Sequence, residues 1–226
     1  MEYYKIERDY SPHITGKRDG GYAVEIKDKT SFCSDSDKKL WKDFFTQDIK
    51  NGKERCSWGS YAIFDNQLLD APFQFYLTGK RVKQLDFMTF APYVRALQFL
   101  VSDRVYNIIC KFKLQTHNAI PVNIDTFGQK YYLLGFPTVG FDYYDFAKCK
   151  FYNYTSGKQE TFESKESYSQ LFINGRVETI SIKLNTKFDA DIIHVPGATF
   201  FSSDIIDIFE REKITGYIKS EERLEN

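Results

Sequence analysis

Five short runs of aromatic and β-branched residues set the tightest limit on what this chain can fold into: PFQFYLT (72–78), AIPVNID (119–125), KYYLLGF (130–136), VETISIKLN (177–185) and ADIIHVP (190–196). Each has the length and bounded character of a strand. Aromatic side chains suit half-buried sheet positions, and Phe and Tyr are abundant here, with 21 and 16 copies in 226 residues. Helical patterns are too few to alternate with these runs as βαβ units. The expected class is therefore α+β, with mixed or largely antiparallel sheets and a few helices packed on one side. The length fits an N-terminal lobe over residues 1–85 and a larger C-terminal lobe over 86–226. In 177–185, Ile180, Ile182 and Leu184 fall on one face, which predicts a strand with one wet side.

The clearest early helix spans 35–50, where Leu40, Trp41, Phe44, Phe45 and Ile49 recur at helical steps. Asp35, Ser36 or Asp37 can cap it, and Asn51-Gly52 can end it. Two later segments echo each other: LVSDRVYNII (100–109) and FFSSDIIDIF (200–209) both place Ser-Asp before a helical apolar pattern. Such Ser-Asp pairs favour the N-terminus of a helix. The echo is read as two separately capped helices rather than as a duplication.

Basic and acidic residues balance at 31 each, which argues against bulk attraction to nucleic acid or an anionic membrane. No apolar run is long enough to span a bilayer. Cys33, Cys56, Cys110 and Cys149 are widely separated and lack the paired spacing of a zinc site. The start, MEYYKIERDY, is charged from its second residue and has no apolar leader core. Together these features predict a cytoplasmic protein with reduced thiols and no metal or cofactor.

Catalytic signatures are missing from the sequence: His13, His117 and His194 stand in no ligand motif, and no phosphate-binding or nucleophile loop occurs. The segment FDYYDFAKCKFYNY (141–154) carries two carboxylates, Asp142 and Asp145, among seven aromatic residues. Read as a strand, it puts Phe141, Tyr143 and Asp145 on one face and Asp142, Tyr144 and Phe146 on the other. That separation makes the aspartates a poor acid–base pair and suits core packing first, recognition of a basic protein surface second. The chain is accordingly not expected to be an enzyme.

The C-terminal half resembles the immunity proteins of bacterial polymorphic toxin systems, in the families numbered eleven and forty-three. The resemblance runs over about residues 85–220, through two Ser-Asp helices, a tyrosine-rich strand, an Asp-x-x-Asp segment and a Thr-Gly turn. Ser102, Asp103, Tyr131, Tyr132, Asp142, Asp145, Ser203, Asp204, Thr215 and Gly216 occupy the matching positions. Cys149 stands where that pattern more often has Ser. The resemblance implies a cytoplasmic antidote that binds a cognate toxin domain and blocks it without catalysis. The expected interface centres on Asp142, Tyr144 and Asp145. The alternatives are a nucleic-acid binder using GKRVKQ (79–84) or CKFKLQTHN (110–118), and a hydrolase with a deep polar pocket.

Overall fold

The computed structural model describes residues 2–46 and 56–226. Strands and helices are numbered in chain order among these residues. One seven-stranded sheet runs β4 (Phe87–Met88), β6 (Phe99–Ser102), β8 (Lys130–Gly135), β7 (Asn118–Ile124), β3 (Phe73–Leu77), β2 (Val24–Ile26), β5 (Phe90–Ala91). The other runs β12 (Ile192–Val195), β13 (Ala198–Ser202), β1 (Tyr3–Arg8), β14 (Tyr217–Glu225), β11 (Val177–Lys183), β9 (Lys150–Asn153), β10 (Lys158–Glu160). Five helices accompany them: α1 (Pro12–Thr15), α2 (Asp35–Trp41), α3 (Asp103–Ile109), α4 (Lys165–Ile173) and α5 (Ser203–Arg211). The fold is α+β with two mixed sheets.

The two sheets repeat one plan. Read from β4 and from β12, the first six strands pair in the same senses: three antiparallel pairings, one parallel, one antiparallel. Only the seventh strand breaks the match, because β5 joins β2 in parallel while β10 joins β9 antiparallel. The chain order of the matched strands agrees too, as strand, helix, three strands and helix, with α2 answering α4 and α3 answering α5; β5 is inserted before β6 in the first repeat and β10 before α4 in the second. The exception is β1. It occupies in the second sheet the slot that β8 fills in the first, so the N-terminal strand completes the C-terminal repeat. The Ser-Asp echo is thus part of a structural duplication, correcting the reading of two unrelated helices. The boundary expected at residue 85 also falls inside both sheets, since β1 lies between β13 and β14, and β3 lies beside β7.

Equivalent residues reuse equivalent bonds. Ser102 pairs across the sheet with Tyr131, and Ser202 with Tyr3. The Tyr131 hydroxyl donates to the Leu85 carbonyl (2.9 Å) and that of Tyr3 to the Ala190 carbonyl (2.8 Å). The next residue in each case is an aspartate whose carbonyl accepts from the serine: Ser102 N to Asp86 O, Ser202 N to Asp191 O, both 2.8 Å.

The described residues form three apolar clusters. One lies under α2, around Trp41, Phe73 and Phe75; one lies under α4, around Phe151, Tyr168 and Phe200. The third joins the sheets through Phe87, Phe99 and Leu134 on one side, Ile6, Ile192 and Phe201 on the other, and the inner faces of α3 and α5. Each of its fully buried rings contributes about 1.5–3 kcal/mol. Helices therefore pack against separate sheets and between them, not on one side as expected.

Local expectations hold for the five strand runs, which become β3, β7, β8, β11 and β12. The alternation expected along β11 does not persist: Val177 is buried as well as Ile182 and Leu184. A bulge against β9 between Thr179 and Ser181 switches the face pointing inward. The early helix is capped by Ser34, whose Oγ accepts from Asp37 N, and loosens into a π-type turn over Lys42–Thr46. Asp37 instead accepts from Asp70 N at 3.0 Å. Residues 47–50, with Ile49, and the stop at 51–52 lie outside the described residues.

Because the two tyrosines do the same work, Tyr3→Phe and Tyr131→Phe should each lower stability by about 1–2 kcal/mol, through the carbonyl each leaves unpaired. Urea unfolding of both variants checks this; a cost confined to one of them would deny the equivalence.

Candidate functional site

The segment carrying the expected interface is not a strand. Residues 141–143 form a single 3-10 turn behind Gly140, and Tyr144 makes one isolated bridge to Leu184. The reason is the density of its aromatic packing. Phe141 meets Tyr144, Tyr168 and Phe172 edge-on at 5.2–5.4 Å, and Phe146 packs on Tyr168 and Phe151. The two faces of a strand would separate these rings; a turn lets them converge on α4.

This geometry divides the three expected interface residues. Tyr144 is only 5% exposed, its burial drives the phenol pKa well above the ordinary value, and it belongs to the core rather than to an exposed strand face. Asp142 projects outward with its side chain 75% exposed, and its Oδ1 accepts from Lys165 Nζ at 2.7 Å. Asn185 Nδ2 holds the Asp142 carbonyl at 3.1 Å. Asp145 is half-buried, pairs with Lys148 at 2.8 Å, and anchors its own backbone through Lys183 O. The two carboxylates therefore answer separate lysines and share no common point. Cys149 closes the turn. Its buried thiol donates to Lys183 O at 3.6 Å and accepts from Lys183 N at 3.3 Å, and burial pushes its pKa up to about 11.

The remaining residues of the resemblance hold the fold. Ser102 Oγ caps α3 by accepting from Val105 N and donates to Asp86 Oδ1 at 2.8 Å. Asp86 Oδ2 in turn accepts from Thr215 N and Thr215 Oγ1, at 3.1 and 3.0 Å. Gly216 follows with φ +86°, where a Cβ would collide with the Phe87 carbonyl. Tyr131 is fully buried, which pushes its pKa up to about 12, and the Tyr132 ring stacks on Tyr106 at 4.2 Å. Asp103 and Asp204 sit in the first turns of α3 and α5. Ser203, expected to cap α5, is instead its first residue. The cap position is Ser202, whose buried Oγ has no hydrogen-bond partner among the described residues.

Each of the two basic stretches has one lysine with a partner. Lys83 Nζ donates to His13 O at 2.8 Å, and Lys113 Nζ bonds Asp189 at 2.9 Å. Among the described residues, no three His, Cys, Asp or Glu side chains converge as metal ligands, and no helix is long and apolar enough to cross a membrane.

The sequence reading missed a cavity of about 490 Å³ between the two repeats. Gln98 and Phe99 of one repeat and Ala198 and Thr199 of the other, at matching steps before Ser102 and Ser202, all line it. Arg8, Arg95 and His194 reach it from β1, from the loop before β6 and from β12. Burial holds the His194 imidazole down to about 4, and the positive charge of Arg95 adds to the effect. Its Nδ1 lies 2.9 Å from Thr199 Oγ1. These residues are far apart in the chain, so no local pattern announces them.

Two outcomes follow. Ser102→Ala should cost about 1–2 kcal/mol, Ser203→Ala under about 0.5, and Ser202→Ala nothing, in chemical denaturation; a larger loss for Ser203 than for Ser102 would contradict the cap assignment. His194 protonates more readily unfolded, near pH 6.5, than folded, near pH 4. Its contribution is therefore complete above pH 6.5 and lost as pH falls toward 4. His194→Gln should flatten the stability profile in that window; an unchanged slope would rule out this source.

No protein-family model matches the chain, and no curated protein matches it in sequence.

Proposed function

We propose that this protein is an immunity protein, which binds a toxin domain and neutralises it by steric cover, acting in the cytoplasm. The observation that carries the reading is the use made of the motif residues. Ser102 and Thr215 both bond Asp86, and Tyr131 bonds the Leu85 carbonyl, so these three residues of the resemblance build a rigid frame. A serine that already caps a helix and donates to a carboxylate is poorly suited to attack a substrate. What such a frame offers outward is a fixed surface, as a binding protein requires.

On that surface, the turn at 141–148 is the best contact region. Asp142 stands exposed on a densely packed aromatic base, so its backbone has little conformational freedom to lose on association. Its charge suits a basic toxin face, and such a pair governs the association rate more than the final affinity. A complex of this kind reaches Kd on the order of nanomolar or below.

The first test is whether a toxin-like domain is encoded beside this gene, and its absence counts against the assignment; the second is co-expression with that domain, followed by pull-down and growth measurement. Wild-type protein should bind and rescue; failure to do either removes the assignment. Asp142→Lys with Asp145→Lys should slow association about tenfold or more while the fold survives, with some loss of thermal stability because each new lysine faces the lysine its aspartate held. Full-strength rescue by this double variant, at an unchanged association rate, would move the contact region elsewhere and leave the assignment intact.

A further inference from the structure

The cleft between the repeats has the composition of a ligand site rather than of a packing defect. Its volume of about 490 Å³ lies within the usual range for small-molecule pockets, which gather where structural units meet. The two repeats contribute unequally to its rim. The second closes its β12–β13 hairpin with a tight turn at Pro196-Gly197, whereas the first inserts a longer loop between β4 and β6 that brings Tyr93 and Arg95. The duplication alone does not account for that loop.

Three cationic side chains, Lys5, Arg8 and Arg95, line the cleft against one carboxylate, Glu7. That carboxylate is already engaged by Lys5 Nζ at 2.8 Å, and Lys5 also bonds Glu222. The two guanidiniums have no carboxylate partner among the described residues. Arg8 is held instead by aromatic faces, 5.8 Å from the Tyr10 centroid and 5.3 Å from that of Phe90. Ring contacts orient a guanidinium and leave its N–H donors available for a planar or tetrahedral anion. Tyr93 is 67% exposed at the rim, a large ring held in water, and no aromatic ring packs on it among the described residues. His194, uncharged at neutral pH, adds polarity without adding charge.

We propose that this junction cleft binds a small organic anion, a carboxylate or phosphate carried on a flat ring. Arg8 and Arg95 pair with the anionic group, and Tyr10 and Tyr93 cover the ring. The site is independent of the toxin reading, and its readout needs no partner protein.

Isothermal titration and saturation-transfer NMR at neutral pH test it with four probes: adenosine 5′-monophosphate, benzoate, inorganic phosphate and uncharged adenosine. At least one ring-bearing anion should bind saturably with Kd below about 1 mM, and adenosine and inorganic phosphate at least about tenfold more weakly. Arg8→Gln and Arg95→Gln should each weaken that binding about tenfold, whereas Lys113→Gln, outside the cleft, should leave it unchanged. Arg95 is exposed, so its variant keeps the test valid even if Arg8→Gln disturbs folding. Absence of saturable binding by both ring-bearing anions overturns the proposal. So does equal binding of adenosine or phosphate, or affinity that survives loss of Arg95.

Discussion

The structure depends on a reciprocal exchange between its two halves. Each central helix ends in a strap that is captured by the aspartate of the opposite repeat. The strap after α5 delivers Thr215 to Asp86, and the strap after α3 delivers Lys113 to Asp191, whose Oδ2 accepts from Lys113 N at 2.9 Å and whose N donates to Lys113 O at 2.8 Å. Asp191 is 7% exposed. A carboxylate so placed is tolerable only with hydrogen-bond donors supplied, which is what the crossing strap provides. The same two crossings hold α3 and α5 together over the third apolar cluster, so the polar clamp and the greasy junction depend on each other.

The exchange extends to the N-terminus. In the first repeat, β7 leads directly into β8, whereas the second repeat receives its equivalent strand from residues 3–8. That strand lies between β13 and β14, so the first residues of the chain are bound into the middle of a sheet whose other strands all come after residue 149. Non-local pairing of this sort costs loop-closure entropy before any contact is gained. It also puts Lys5 and Arg8 on the wall of the junction cleft, opposite no equivalent pair of charges in the first repeat, and so makes a near-symmetric fold chemically asymmetric at its centre.

Most strands were legible because their signals are local. The runs at β3, β7, β8 and β12 need only side-chain type and flanking residues to be recognised. The misreadings have specific causes. Residues 141–146 alternate as a strand would, but aromatic attraction toward Tyr168 and Phe172, some 25 residues further along, outweighs the strand preference. By residue type, the Ser-Asp pair at 203–204 points to Ser203 as the cap. The backbone decides otherwise: Ser202 has φ −60°, ψ 152°, nearly the angles of Ser102. The face switch in β11 comes from a bulge that depends on its partner strand. Of the expected contact residues, only Asp142 combines exposure with a fixed base.

By itself the sequence determined the α+β class, the positions of the main strands and the two Ser-Asp helix starts, since these follow from propensity and periodicity within a few residues. The tertiary structure decided the duplication, the crossing straps, the burial of Tyr144 and the gathering of Arg8, Arg95 and His194 around one cleft. These depend on which distant segments pair and on the apolar area their pairing removes from water, and no short window of residues contains that information.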